Sequence, residues 1–383
     1  MPIFTTALPL SLYIHMPWCV RKCPYCDFNS HHMKDYLPET LYVEALLHEL
    51  DSYLEVVKNR SIISIFFGGG TPSLFSGKAI AQILNYVTQQ FTLSSPIEIT
   101  LEANPGAMDQ ARFQDYHYAG INRLSLGIQS LQDEKLQALG RIHDSKQAAQ
   151  AIVAAHRAGF TNLNLDLMYG LPKQSIDDAF YDIETALTFQ PTHLSWYQLT
   201  IEPNTLFYQQ QPTLPPDDLL WEMQLAGQAQ IGQHGLQQYE VSAYALPQKE
   251  CVHNQNYWEF GDYLGIGAGA HSKITNIKTG IVTRFSQIKH PRDYLDANKR
   301  CIQNKKIIEK KDLLFEFMLN ALRLSHGVPY ALLMQRTGIT IEEIQSLLNT
   351  AKQRGFLLEH PTHFCPSALG KRFLNDLTAM FLP

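Results

Sequence analysis

Apolar residues along the first two hundred positions follow two alternating rhythms. Short runs rich in β-branched and aromatic residues read as strands: SLYIHM (11–16), IISIFF (62–67), IEITLE (97–102), NRLSLGI (122–128), NLNLDLMYG (162–170) and HLSWYQL (193–199). Between them, apolar residues recur at steps of three and four. The clearest such stretch is 39–57, where Tyr42, Leu46, Leu50, Tyr53 and Val57 line one helical face. Further helices are predicted over 77–91, 109–119, 145–158 and 175–188. Six such units predict an α/β fold, a partial (β/α)6 TIM-like barrel of parallel strands covered by helices.

Regularity weakens at QQQPTLPPDD (209–218), a loop leading into a helix over 218–234 and a strand over 237–243. From 305 the pattern changes to helices with short turns. It closes on GFLLEHPTHFCPSALGKRFLNDL, the outline of a helix-turn-helix followed by a small β wing. The expected division is a barrel over 1–240, a barrel-edge extension over 241–304 that carries HNQNYW, and a winged-helix-like C-terminal domain over 305–383.

Composition narrows the class. Hydrophobic residues make up 45% and charged residues 17%, which excludes wholesale disorder. No apolar run approaches the roughly 20 residues that cross a bilayer, and the N-terminus lacks the basic flank of a secretory signal, so a cytoplasmic protein is expected. The net charge of -5 offers phosphates no general attraction. Residues 311–383 carry seven Lys or Arg against six Asp or Glu, so the winged-helix outline comes without a basic footprint and no nucleic acid is expected as partner.

Of six cysteines, three fall within eight residues, while Cys251, Cys301 and Cys365 are scattered and expected to be buried fillers. CVRKCPYC places Cys19, Cys23 and Cys26 directly after the first strand, where barrel loops gather at the functional face. No second knuckle or histidine pair completes a four-ligand zinc set. A cubane [4Fe-4S] cluster held by three thiolates keeps one iron open. That iron can chelate the amino and carboxylate groups of S-adenosylmethionine and align its sulfonium for one-electron cleavage. Zinc, or three purely structural cysteines, are the alternatives.

Polar or glycine features mark the ends of the other strands: Gly68 to Thr71, Glu102, Gln129 and Asp166. FFGGGTPS lacks the Lys-Ser/Thr pair of a P-loop. Its glycines either let the backbone approach a ligand or make a tight strand-to-helix turn. GIGAGAHS (265–272) departs from the dinucleotide-binding spacing and is expected to be a close-packed strand end lining the pocket.

Taken together, these residues resemble the radical S-adenosylmethionine superfamily. Within it they resemble the branch that contains oxygen-independent coproporphyrinogen III oxidases and HemW heme chaperones. YIHMPWCVRKCPYCDFNS, FFGGGTPS, LEANPG, LSLGIQS, DLMYGLP and the C-terminal segment stand in the family's order over nearly the whole chain. The resemblance implies that Tyr13 flanks the cluster, that Gly69, Gly70 and Thr71 contact the methionine part of the cofactor, and that Tyr25 lies beside its adenine. It marks Glu102, Gln129, Arg141 and Asp166 as further cofactor contacts. Carboxylates can accept from amino or ribose donors and Arg141 can pair with a carboxylate, with capping and ion pairing as the plainer roles.

Two features separate the chain from the oxidases. They resemble CxxxCxxCxC, whereas Phe28 stands here two residues beyond the third cysteine, and they carry a longer N-terminal extension. HNQNYW (253–258) matches the HNxxYW pattern of the HemW proteins. In that light His253 offers an imidazole to heme iron, with Tyr257 and Trp258 as apolar surface, the plainer reading being a hydrogen-bonded structural histidine. The resemblance thus implies a protein with a [4Fe-4S] cluster and S-adenosylmethionine that binds heme and passes it to acceptor apo-hemoproteins, with room for peripheral membrane proteins among its clients. No catalytic residue is assigned. Coproporphyrinogen III oxidase activity is the alternative, and a DNA-binding regulatory module a third. The acceptor and the oligomeric state stay open at this point.

Overall fold

Six strands run parallel: β1 (Leu10–Met16), β2 (Ser61–Gly69), β3 (Thr92–Ala103), β4 (Arg123–Gln129), β5 (Leu163–Tyr169) and β6 (His193–Gln198). They belong to a computed structural model that describes residues 7–34, 36–107, 109–299 and 302–383, so Cys301 lies outside the described residues. The connections run through α1 (Glu39–Tyr53), α2 (Gly77–Gln90), α3 (Gln110–Ala119), α4 (Ser145–Arg157) and α5 (Ile176–Thr188). Short polar side chains start several of these helices. Ser76 caps α2, Asp109 caps α3, and reciprocal capping boxes open α4 (Asp144 with Gln147) and α5 (Ser175 with Asp178).

Beyond β6 come α6 (Asp217–Gln233), β7 (Gln237–Glu240) and β8 (Ala243–Ala245), with β8 antiparallel to β6. A seven-residue helix, α7 (Val252–Trp258), leads to β9 (Asp262–Ile266), which pairs in parallel with β1. From β9 the sheet continues antiparallel through β10 (His271–Thr275), β11 (Val282–Gln287) and β12 (Ile302–Ile307). The twelve strands described form one open sheet, in the order β12-β11-β10-β9-β1-β2-β3-β4-β5-β6-β8-β7. The barrel is therefore partial: β7 and β12 are edges that do not meet.

Alternation along each strand sorts its side chains between two faces. Leu12 and Ile14, Ile65 and Phe67, Leu124 and Leu126, and Leu165 and Leu167 are buried in one core beneath the helices. The opposite, concave face carries Ser11 and Tyr13, Ser64 and Phe66, Glu98 and Glu102, Arg123 and Ser125, and Asn164 and Asp166. A polar concave face cannot close into a dry core, and it leaves cavities.

The HNQNYW helix α7 fills the lower part of this concave face. Backbone N–H groups of Val252 and His253 donate to the Glu98 carboxylate, each at 3.2 Å. Asn256 donates to the Ser11 hydroxyl (2.9 Å) and to the Asp262 carbonyl (2.8 Å). Beneath β9, the carboxylate of Asp262 meets Arg60 and Lys273, each at 2.9 Å, all three buried.

The C-terminal segment has a core of its own, built on α8 (Lys310–Ala321), α9 (Tyr330–Thr337) and α10 (Ile341–Gln353), and that core takes in Phe260 and Val282 from the sheet side. A short antiparallel pairing of Val328–Pro329 with His363–Phe364 forms its wing. Among the described residues no helix is long and apolar enough to cross a membrane.

Candidate functional site

The cysteine loop leaves β1 and returns on itself, with Trp18–Cys19 pairing against His31–His32. Cys26 N–H donates to the Cys23 carbonyl (3.1 Å), a tight turn that brings the second and third thiols together. The glycine turn after β2 clamps this loop. Gly70 N–H donates to the Met16 carbonyl (2.7 Å) and Thr71 N–H to the Trp18 carbonyl (2.8 Å). A Cβ on Gly70 would stand 2.6 Å from the Trp18 carbonyl oxygen. The glycines are thus required by the approach of two backbones, and the Gly69 N–H is also engaged, donating to the Glu102 carboxylate at 3.2 Å.

Cys19, Cys23 and Cys26 line one cavity of about 510 Å³ together with Gly69, Gly70 and Thr71. Each sulfur has a polar partner: the Thr71 hydroxyl on Cys19 (3.3 Å), the Arg141 guanidinium on Cys23 (3.6 Å) and the Ser30 hydroxyl at Cys26 (3.7 Å). Burial pushes the thiols of Cys19 and Cys26 up. Among the described residues no three Cys, His, Asp or Glu side chains converge as ligands of a single metal ion. A cubane takes its thiolates at separate iron corners, and three thiols each with a polar partner fit the thiolate corners of a [4Fe-4S] cluster.

Across the cavity stand the strand-end residues. Glu102 is pushed up to about 8, first by burial of its carboxyl and then by Asp166. Asp166 is raised by burial as well, against hydrogen bonds from Asn164 (2.8 Å) and Ser125 (3.1 Å). Gln129 accepts from the Tyr197 hydroxyl at 2.7 Å, and Arg141 also donates to the Gly127 carbonyl at 2.7 Å. Tyr25 packs its ring against Phe207 on the same wall. Gly69 and Glu102 border a second cavity of about 470 Å³, and Tyr13 lies on its wall alone. The Tyr13 hydroxyl is bonded to His15 Nδ1 at 3.0 Å.

His253 takes neither wall. It is 1% exposed, its Nδ1 is bonded to the Ser64 hydroxyl (3.0 Å) and its Nε2 to the Tyr257 hydroxyl (2.9 Å), and burial holds it neutral at about 3. Its ring stacks on Phe66. From this position it could reach a heme iron only by giving up one of those bonds and leaving the core. The structure instead brings the end of the same motif to the cavities: Trp258 borders both, and Tyr257 borders the second.

Sequence reasoning did not find several wall residues. Arg323 arrives from beyond α8, donates to Glu240 (2.9 Å) and lies 4.3 Å from the Trp258 ring centroid. Ser125, Tyr197 and the β9–β11 residues Tyr263, His271 and Arg284 are also on the walls. The strict two-residue alternation of the strands would have flagged Ser125 and Tyr197, but nothing local marks the others. The second cavity shares Phe28, Gly69, Glu102 and Trp258 with the first, and Phe28 is 61% exposed at this junction.

Residues 13–185 match the model of the radical SAM superfamily and residues 308–373 that of the HemN C-terminal domain. The chain is 46% identical over 374 residues to the heme chaperone HemW of Escherichia coli strain K12, and 47% identical over 378 residues to that of Haemophilus influenzae, covering 98% of both chains in each case. The structure of the coproporphyrinogen III oxidase HemN from Escherichia coli superposes with a TM-score of 0.82 at 22% identity, covering 98% of this chain and 90% of that one. At that identity the likeness is one of fold.

Proposed function

The chain belongs to the radical S-adenosylmethionine superfamily, in the family of HemW heme chaperones, and from that premise we propose that it binds heme and delivers it to acceptor apo-hemoproteins. The observation that carries this reading is the pair of adjoining cavities, one walled by thiols and carboxyls, the other by aromatic rings, with Phe28 and Trp258 in common. Two cavities have room for two different guests.

Membership of the superfamily implies a [4Fe-4S] cluster and S-adenosylmethionine. On our reading Cys19, Cys23 and Cys26 would hold the cluster, and the cofactor it binds would supply one-electron chemistry if reductively cleaved. The residues of this chain have separate tasks. The Thr71 hydroxyl orients the Cys19 thiolate and the Arg141 guanidinium offsets charge at Cys23, and the raised carboxyls of Glu102 and Asp166 can accept from an ammonium or from ribose hydroxyls. Tyr25 offers a ring face to an adenine, while Gln129 and Tyr197 present a bonded amide and hydroxyl to the same space. Decarboxylation of coproporphyrinogen is not proposed: Phe28 stands where the oxidases carry a further cysteine. Three free thiols persist as metal ligands in a reducing compartment, and we place the protein in the cytoplasm, with peripheral membrane hemoproteins among its clients.

The test is to titrate the purified protein with hemin, follow the Soret band, and then add an apo-hemoprotein. Stoichiometric binding and transfer are expected. Absence of stoichiometric binding refutes the reading.

A further inference from the structure

The second cavity continues the concave face over β9, β10 and β11, beyond the cysteine loop. Tyr263, Lys273 and Arg284 stand opposite one another across the three strands, and His271 lies two residues before Lys273, hence on the same face. Phe28, Tyr257 and Trp258 line the cavity as well. At about 470 Å³, with apolar rings and a few polar groups, it has the size and character of a cofactor pocket.

Two histidines line this cavity, and one of them is spoken for. His15 has Nδ1 on the Tyr13 hydroxyl (3.0 Å) and Nε2 on the Asn29 carbonyl (2.9 Å). His271 is exposed, and among the described residues neither of its ring nitrogens is hydrogen-bonded. Partial burial against the cavity wall, Lys289 and Arg284 all hold its pKa below the ordinary histidine value, which keeps a lone pair available at neutral pH. Arg284 uses Nε and Nη2 on Glu316, each at 2.8 Å, and Nη1 on the Tyr263 hydroxyl at 3.0 Å. A guanidinium has five N–H donors, so two remain for a carboxylate.

We propose that this cavity is the porphyrin site, with His271 ligating the heme iron and Arg284 taking a propionate. The proposal rests on the heme-binding reading above and assigns that function a place other than His253. Ligation forms one coordinate bond from the imidazole lone pair to iron and displaces water or chloride from hemin. No proton or electron moves. The faces of Phe28, Tyr257 and Trp258 supply apolar cover for the macrocycle.

The experiment is a titration of the full-length protein and of His271→Ala and Arg284→Gln with hemin and, separately, with iron-free protoporphyrin. In His271→Ala the Soret band of bound hemin is expected to shift, with recovery on adding imidazole, while protoporphyrin affinity is unchanged. Arg284→Gln is expected to weaken both ligands about tenfold, the worth of one charge-assisted hydrogen bond. If the unaltered protein takes up no heme, the functional reading fails. If it binds heme and His271→Ala keeps the same Soret position, the site assignment is overturned and the functional reading stands; an Arg284→Gln variant that binds both ligands as tightly as the unaltered protein removes the propionate contact.

Discussion

Glu102 and Asp166 set two carboxyls against one cavity, and both are raised, first by burial. A carboxyl whose folded pKa lies above its unfolded value contributes stability that is whole below the unfolded pKa and is lost as pH rises through the folded one. For Glu102 that window runs from 4.5 to about 8. The ligand-free protein is therefore expected to lose thermal stability across this window relative to Glu102→Gln. Parallel melting profiles for the two would dismiss the buried, protonated carboxyl. At the cysteines, Cys23→Ala is expected to abolish iron and sulfide uptake in anaerobic reconstitution while Cys365→Ala retains it; equal uptake would count against the cluster loop. That the three cysteines share one loop was legible because their spacing is local, and the structure brings all three to one cavity. His271 was not, since its distinction is relational: it is the histidine on the cavity wall whose nitrogens no neighbour among the described residues claims.

At the scale of elements, periodicity reports burial before it reports helix or strand. The pattern that predicted a helix over 39–57 ends in Val57, which is buried in the same core although α1 stops at Tyr53. Conversely β3 begins at Thr92, ahead of its apolar run, because Thr92 and Leu93 pair with Ser61 and Ile62 of β2. The helix α7 had no signal of its own. Its seven residues are mostly polar, and what makes them helical is Glu98 receiving the first N–H groups and Asn256 bonding across to β1 and β9. The glycine turn after β2 was expected to serve a ligand or a tight turn; the N–H groups of Gly70 and Thr71 hold the cysteine loop, while that of Gly69 goes to Glu102. Gly70→Ala is expected to cost about 1–3 kcal/mol, a typical penalty for overpacking, and to lower cluster retention. Unchanged denaturation and unchanged iron content would show that the two loops can separate freely.

Over the whole molecule, the parallel half was readable from its repeating units, while the antiparallel strands β10–β12 and their packing on the C-terminal core were not, because those contacts join residues far apart in the chain. Asp262 shows how firmly that region is tied in. Arg60 comes from the loop after α1 and Lys273 from β10, and both meet its carboxylate out of water. Burial opposes the charge on Asp262, yet Lys273 and Arg60 prevail and hold its pKa low. Asp262→Ala leaves two cations buried without their partner and is expected to destabilise the fold by about 3–5 kcal/mol in urea denaturation. A loss under 1 kcal/mol, the scale of an exposed pair, would mean that water reaches the site.

The wall of Phe28, Gly69, Glu102 and Trp258, common to both cavities, has a thermodynamic corollary. Any coupling between guests on its two sides is reciprocal: whatever factor one applies to the other's dissociation constant is returned in equal measure. If S-adenosylmethionine tightens the hold on heme, heme tightens the hold on S-adenosylmethionine by the same factor, and loss of either guest loosens the other. Release to an acceptor can then be set by the state of a neighbouring ligand that never touches the iron.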